Sequence, residues 1–220
     1  MLFRSNSAEG YHYLAYLYRL CDMTSEAREA LERSIQLNPY VPWEYRAIAR
    51  LEAMHGRFDE ARKWLERERE KCGVLTRPGL EAVVRMLEGR YAEALAWREE
   101  GREPSQPISG ETLHDALLHL LNGNRERALE SFNLGKPFAE IDMDWAAVAA
   151  EYLAQAGGID GAFRALYRAA ELGNDMLAVY ERSRFLEPLR TDPRWAPFIE
   201  GVRRRVAEYK REFRWPPVAA

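Results

Sequence analysis

Apolar residues recur at helical spacing along most of the chain, in stretches separated by short turns. Tyr11, Leu14 and Tyr18 lie three and four residues apart before the first turn, and Ala27 and Leu31 continue the spacing after it. This spacing places the apolar side chains on one face of a helix. β-branched runs long enough for a strand do not occur. The pattern therefore predicts successive pairs of amphipathic helices.

Three columns of residues repeat with a period of 33 or 34 residues. The first column holds a small residue just after each turn: Ala27, Ala61, Ala94, Ala128 and Ala162. The second lies twelve residues upstream: Ala15, Ala49, Ala82, Ala116 and Ala150. The third marks the turn: Asp22, Gly56, Gly89, Gly123 and Gly157. Small residues allow two helices to approach closely, and glycine ends a helix at little cost. A fixed period in this range indicates an array of helix–turn–helix repeats.

The first repeat resembles a tetratricopeptide repeat. In residues 8–41, the W-L-G-Y-A-F-P positions of that family are taken by Tyr11, Leu14, Ala15, Tyr18, Ala27, Leu31 and Pro39. Residues 42–74, 75–108, 109–142 and 143–176 resemble four further repeats. The resemblance implies an all-α fold, a right-handed superhelical solenoid of about five repeats over residues 1–176.

The chain departs from the repeat pattern after residue 176. FLEPLRTDPRW resembles the segment that follows the last repeat in bacterial tetratricopeptide regions attached to adenylate cyclases, winged-helix transcription regulators or kinases. Val202, Val206, Tyr209 and Phe213 form a stripe that can cover the last repeat. We expect capping helices over residues 177–214 and a flexible tail over residues 215–220.

Some positions break the pattern inside the array. Glu68 takes a place that the family fills with a small residue. TRPGL, residues 76–80, puts a proline near the start of a helix, where only the first turn tolerates it. GREPSQPISG, residues 101–110, predicts a longer loop and looser stacking around repeats two to four. That loop is either a hinge or the result of sequence drift.

Composition narrows the classes of function. The chain has 220 residues, of which 47% are apolar and 30% charged, with a net charge of −3. A large core is therefore available, and the absence of a basic excess disfavours nucleic acid as a partner. The mixed run RRRVAEYKREFR, residues 203–214, does not change that expectation. Neither a signal peptide nor a membrane span is visible in the sequence, so we expect a cytoplasmic protein without membrane contact.

The residues that carry chemistry in other proteins have simpler explanations here. His114 and His119 are five apart, which separates them around a helix and prevents a shared metal ion. Asp142 and Asp144 precede Trp145 at a predicted helix start, where acids and N-caps are common. We find no phosphate-binding glycine motif or nucleophile elbow. The sequence predicts a non-enzyme with no cofactor, no metal site and no catalytic residues.

The resemblance implies a concave groove lined by the first helix of each repeat. Its predicted lining is His12, Tyr16 and Arg19 from repeat one, Trp43, Arg46 and Arg50 from repeat two, Val83 and Met86 from repeat three, Leu113, Leu117 and Leu120 from repeat four, and Asp144 and Glu151 from repeat five. The groove is thus expected to be basic and aromatic at one end, apolar in the middle and acidic at the other end. It suits a peptide or protein partner with an acidic end and an apolar centre.

The sequence leaves two questions open, one about the apolar groove residues and one about the role of the chain. The leucines and Met86 are either exposed for a partner or buried by tighter closure of the superhelix or by self-association. The chain is either an interaction scaffold or the sensory or regulatory region of a larger bacterial signalling protein, such as a transcription regulator or nucleotide cyclase.

Overall fold

The fold is an all-α helical-repeat solenoid. A computed structural model describes residues 7–73, 78–100 and 108–212. These residues form helices only: α1 (Ala8–Leu20), α2 (Thr24–Leu37), α3 (Pro42–Met54), α4 (Phe58–Cys72), α5 (Pro78–Glu88), α6 (Tyr91–Glu100), α7 (Thr112–Leu121), α8 (Arg125–Ala139), α9 (Met143–Gln155), α10 (Ile159–Glu171), α11 (Leu177–Arg182), a 3-10 helix (Arg184–Leu189) and α12 (Trp195–Glu212). Each successive pair from α1 to α10 lies within one of the five predicted repeat ranges. Pro78 is the first residue of α5, the position at which a proline costs a helix least.

The alanine columns form the contacts between paired helices. All ten alanines are at most 2% exposed. Ala61 lies in an apolar cluster with Ile48, Ala49 and Trp64. Side chains larger than a methyl group at these positions would separate the helices, so the period of the sequence follows from the packing.

The turn column is confirmed by backbone geometry. Gly56, Gly89, Gly123 and Gly157 all have positive φ values, between 76° and 95°. Asp22, with φ 55°, is the one non-glycine with positive φ among the described residues. Its side chain supplies the reason, because its Oδ1 accepts a hydrogen bond from the backbone N–H of Ala178 at 3.0 Å. The turn of repeat one is therefore attached to the start of α11.

Replacing Ala61 with phenylalanine tests the register of the repeats. The side chain is fully buried between α3 and α4, so the larger ring must displace its neighbours. We expect the free energy of unfolding to fall by about 1–3 kcal/mol or more, measured by urea denaturation. A matched Ala92→Phe variant, at an exposed position of α6, should unfold like the parent. Equal stability of Ala61→Phe and the parent would show that the alanine column is assigned to the wrong face.

The last helix covers the last repeat. In α12, Phe198, Ile199, Val202 and Val206 are at most 6% exposed and pack against α9 and α10 through Ala162, Phe163 and Leu166, among others. The burial of Val202 and Val206 agrees with the predicted stripe. Tyr209 is partly buried and its hydroxyl donates to Asp175. Phe213 and the predicted tail at 215–220 lie outside the described residues.

The segment that links α10 to α12 folds back into the interior of the solenoid. We call residues 174–189 the inner segment. The Asp175 N–H donates to the Leu20 carbonyl at 2.9 Å, and Asp175 is held by Arg205 of α12 at 2.7 Å. Tyr180, Phe185, Leu186 and Leu189 of this segment are at most 1% exposed. The solenoid thus closes on itself, with repeat one joined to the residues that follow repeat five.

The predicted hinge loop at 101–110 falls largely on residues 101–107, outside the described residues, so it stays a prediction. Across the residues that are described, none of the helices has both the length and the apolar character required for crossing a bilayer.

Candidate functional site: a groove closed by its own chain

The two ends of the predicted groove pair with each other. Arg19 of α1 donates two hydrogen bonds to the Asp144 carboxylate of α9, at 2.7 and 3.2 Å, and both side chains are only 12% exposed. Burial alone would raise the pKa of Asp144, but the charges of Arg50 and Arg19 and the hydrogen bonds from Arg19 outweigh it and lower that pKa. Arg19 of the predicted basic end and Asp144 of the predicted acidic end therefore neutralise each other.

Three of the residues predicted for the apolar centre of the groove are buried, as the second of the two alternatives had it. Met86 is 1% exposed, and Leu113 and Leu117 are fully buried. Met86 and Leu117 pack against Phe185 of the inner segment, whereas Leu113 packs between α7, α8 and α9. Closure by the inner segment accounts for the burial of Met86 and Leu117, whereas packing between neighbouring helices accounts for that of Leu113. The chain supplies the apolar occupant of its own groove.

The other predicted apolar lining residues lie partly buried. Leu120 packs beside the cluster formed by α7, α8 and α9. Val83 lines a central cavity between the repeats and the inner segment.

Arg46 contacts the second helix of its own repeat. Its Nε donates to Glu68 Oε1 of α4 at 2.6 Å, and Glu68 is fully buried. The guanidinium also lies 5.2 Å from the centre of the Trp43 ring. Glu68 occupies the family's small-residue position because it is the counter-ion of Arg46. The charge of Arg46 is therefore satisfied within its own repeat, and its role in binding a partner stays a prediction.

Part of the basic and aromatic end stays accessible. Tyr16 is 36% exposed and Trp43 is 51% exposed, while the His12 side chain is 34% exposed. The Arg19 guanidinium lies 4.9 Å from the centre of the Tyr16 ring. We call His12, Tyr16 and Trp43, with their neighbours Tyr13 and Leu17 on α1, the entrance patch. Of the predicted lining, this part is the most exposed.

A cavity of about 250 Å³ lies between the first helices of the repeats and the inner segment. It is lined by the predicted groove residues Arg50, Val83, Met86, Asp144 and Glu151, together with Met176, Val179, Tyr180 and residues 182–186 of the inner segment. The inner segment therefore fills part of the predicted groove and leaves this cavity.

Glu151 and His114, which line this cavity, have strongly shifted pKa values. Burial raises the pKa of Glu151 to about 7, although a hydrogen bond from Ser183 Oγ, at 2.6 Å, opposes the shift. Burial lowers the pKa of His114 to about 3. Its ring meets Trp145 edge-on at 5.3 Å. His114 is thus neutral at physiological pH, and Glu151 carries only part of its charge near pH 7.

The remaining polar candidates have structural roles. Asp142 is the N-cap of α9, and its Oδ1 accepts from the N–H groups of Asp144 and Trp145. His119 is 5% exposed, on a buried part of α7. In the basic run after residue 202, Arg203 and Arg205 pair with Glu181 and Asp175 of the inner segment.

The inner segment is the part of the site that sequence reasoning missed. FLEPLRTDPRW was interpreted as a cap only, although Phe185 and Leu186 enter the groove. One signal in the sequence pointed to this arrangement. Asp22 replaces glycine in the turn column.

Comparisons with known proteins show the fold. No protein-family model matches the chain, and no curated protein matches it. Among solved structures, "Crystal structure of APC/C hetero-tetramer Cut9-Hcn1" matches with a TM-score of 0.57 and 14% sequence identity, over 90% of this chain. The match spans 43% of that other chain. The resemblance to tetratricopeptide repeats is confirmed at the level of the fold.

Proposed function

We propose that this protein is a non-catalytic interaction scaffold and that a partner protein or peptide docks at the entrance patch. The observation that carries the proposal is the exposure of Tyr16 and Trp43 on the first helices of repeats one and two. Each ring is backed by a guanidinium that is itself fixed by a buried carboxylate. Large aromatic side chains held in a fixed orientation are favourable anchors for a partner because little conformational entropy is lost on binding.

The chemistry of the patch suggests the chemistry of the partner. Arg19 and Arg46 are paired with Asp144 and Glu68, so the aromatic rings of the patch, and not its charge, are the groups it offers to a partner. Apolar or aromatic groups of the partner would stack on Tyr16 and Trp43. An apolar centre could reach Met86 and Leu117 only by replacing Phe185, because that ring already packs against both.

Comparative affinity capture tests the proposed docking site. The parent chain, a Tyr16→Ala/Trp43→Ala double variant and an Ile141→Ala control would be immobilised and exposed to lysate from the source organism. Ile141 is 74% exposed in the turn between α8 and α9, so its truncation leaves the patch intact. We expect a partner that both the parent and the control retain, and a loss of about tenfold or more in affinity for the double variant. Equal retention by all three, with unchanged circular dichroism, would contradict docking at this patch.

The sensory or regulatory alternative has one observation in its favour. A cavity between the repeats and the inner segment is a feature that a scaffold with an open groove does not need. A larger signalling protein would use such a cavity to sense a small molecule. The bacterial, cytoplasmic and regulatory setting stays a prediction, as does self-association.

A further inference from the structure

The central cavity contains a cation that is not neutralised by an ion pair. Arg50 of α3 lines the cavity, and among the described residues no carboxylate oxygen lies within 4.0 Å of its guanidinium. Arg19 and Arg46, on the same side of the solenoid, are each paired with a carboxylate that is at least 88% buried. A partly buried arginine without a counter-ion costs free energy and leaves donors available for an anion.

The charges around Arg50 leave the cavity cationic. Its charge acts on Tyr16 of α1, His114 of α7, and Asp144 and Glu151 of α9. Asp144 is already engaged by Arg19, His114 is neutral, and Glu151 is partly protonated near pH 7. The inner segment adds two exposed arginines to the lining, at positions 182 and 184. His55, on the same lining, contacts the Leu51 carbonyl and the Thr24 hydroxyl.

The rest of the cavity wall is largely apolar. Val83, Met86, Ala147, Phe185 and Leu186 contribute to it. A volume of about 250 Å³ exceeds the ~150 Å³ that is known to accept benzene in an apolar protein cavity. An arginine–carboxylate pair strengthens in surroundings of low polarity. The cavity therefore fits an anion with a compact apolar body.

We propose that the central cavity binds a small monocarboxylate, with its carboxylate on Arg50 and its apolar body against Val83, Met86 and Phe185. Phe185 belongs to the inner segment, so such a ligand would contact both the repeats and the segment that closes them. Binding would stabilise the closed solenoid by mass action. This site is separate from the entrance patch, and its occupation does not depend on a protein partner.

Calorimetric titration of the full chain with phenylacetate tests the proposal. Hexanoate serves as a second monocarboxylate, and phenylacetamide as an uncharged molecule of the same shape. We expect both carboxylates to bind and the amide to bind about tenfold more weakly or worse. Failure of both carboxylates to bind at millimolar concentration, or equal binding of the amide, would overturn the proposal.

Three variants locate the site. Arg50→Gln should weaken phenylacetate binding about tenfold or more, whereas Arg204→Gln, an exposed arginine on α12, should bind like the parent. At pH 8, Glu151→Gln should bind phenylacetate more tightly than the parent. A carboxyl group with a pKa of about 7 is charged at that pH and repels the ligand, while the glutamine oxygen still accepts from Ser183. Unchanged binding by folded Arg50→Gln would overturn the assignment.

If Arg50→Gln does not fold, a cavity-filling variant tests whether phenylacetate binds in the central cavity. Ala147→Leu adds a side chain to the cavity wall in a residue that suits the helix. We expect it to keep the circular dichroism spectrum of the parent and to lose phenylacetate binding. A folded Ala147→Leu variant that binds phenylacetate with the affinity of the parent would show that the ligand sits elsewhere.

Discussion

Phe185→Ala should lower the free energy of unfolding by about 3–5 kcal/mol, the usual cost of removing a buried phenylalanine ring. The ring is 1% exposed and packs against Met86, Leu117 and Leu118. Its centre lies 6.3 Å from the centre of the Tyr91 ring. These contacts join the inner segment to repeats three and four. Loss of the ring should therefore also loosen the closure of the solenoid.

Denaturant melts and hydrogen exchange measure the two effects separately. In a stacked array each repeat contacts only its neighbours, so the array can melt gradually. The inner segment adds contacts between distant repeats and should make unfolding more cooperative. We expect Phe185→Ala to broaden the transition and to increase amide exchange in α5 and α7, while Leu129→Ala, exposed on α8, changes neither. A loss below about 1 kcal/mol with unchanged exchange would show that Phe185 does not hold the groove closed.

Arg46→Ala should cost about 3–5 kcal/mol, because it leaves the buried Glu68 carboxylate without its counter-ion. Glu68 has no exposed side-chain surface, and its Oε2 has no hydrogen-bond partner among the described residues. Arg46 therefore provides most of the compensation for burying this charge. Urea denaturation at pH 7 measures the loss.

A paired substitution separates charge burial from loss of packing. The Arg46→Met/Glu68→Leu variant replaces the ion pair with apolar side chains of similar length. Such replacements in other proteins are neutral or stabilising, so we expect the double variant to recover most of the stability lost in Arg46→Ala. If the double variant is as unstable as the single one, Arg46 acts through its contact with Trp43 and not through Glu68.

The repeat architecture could be predicted because it depends on contacts between neighbouring helices. A buried alanine and a turn glycine serve one helix pair, and the same requirement recurs in each pair at a fixed interval. The period of the sequence therefore predicted that a column of alanines is buried between paired helices. Its members are Ala27, Ala61, Ala94, Ala128 and Ala162. Similarly, Asp142 could be recognised as an N-cap, since its partners are two and three residues away.

Closure of the solenoid could not be predicted in the same way. It depends on the small rotation from each repeat to the next, summed over five repeats, and no short pattern records that sum. Arg19 and Asp144 are 125 positions apart, so their complementarity was interpreted as two ends of a partner's site. Glu68 showed only as a departure from the family pattern, because its partner Arg46 had been assigned to the groove.

Zero-length carbodiimide cross-linking tests most directly whether the chain closes on itself. Lys210 Nζ of α12 lies 3.9 Å from Asp22 Oδ2 in the turn of repeat one. The reagent joins an amine to a carboxylate only when they touch, and the Lys63–Glu60 pair, 2.6 Å apart within α4, provides an internal yield standard. A mixture of isotopically light and heavy chains distinguishes links within one chain from links between chains. The closed solenoid predicts a Lys210–Asp22 bond within single chains of dilute protein. Efficient Lys63–Glu60 coupling with no Lys210–Asp22 bond, or with that bond only between light and heavy chains, would contradict it.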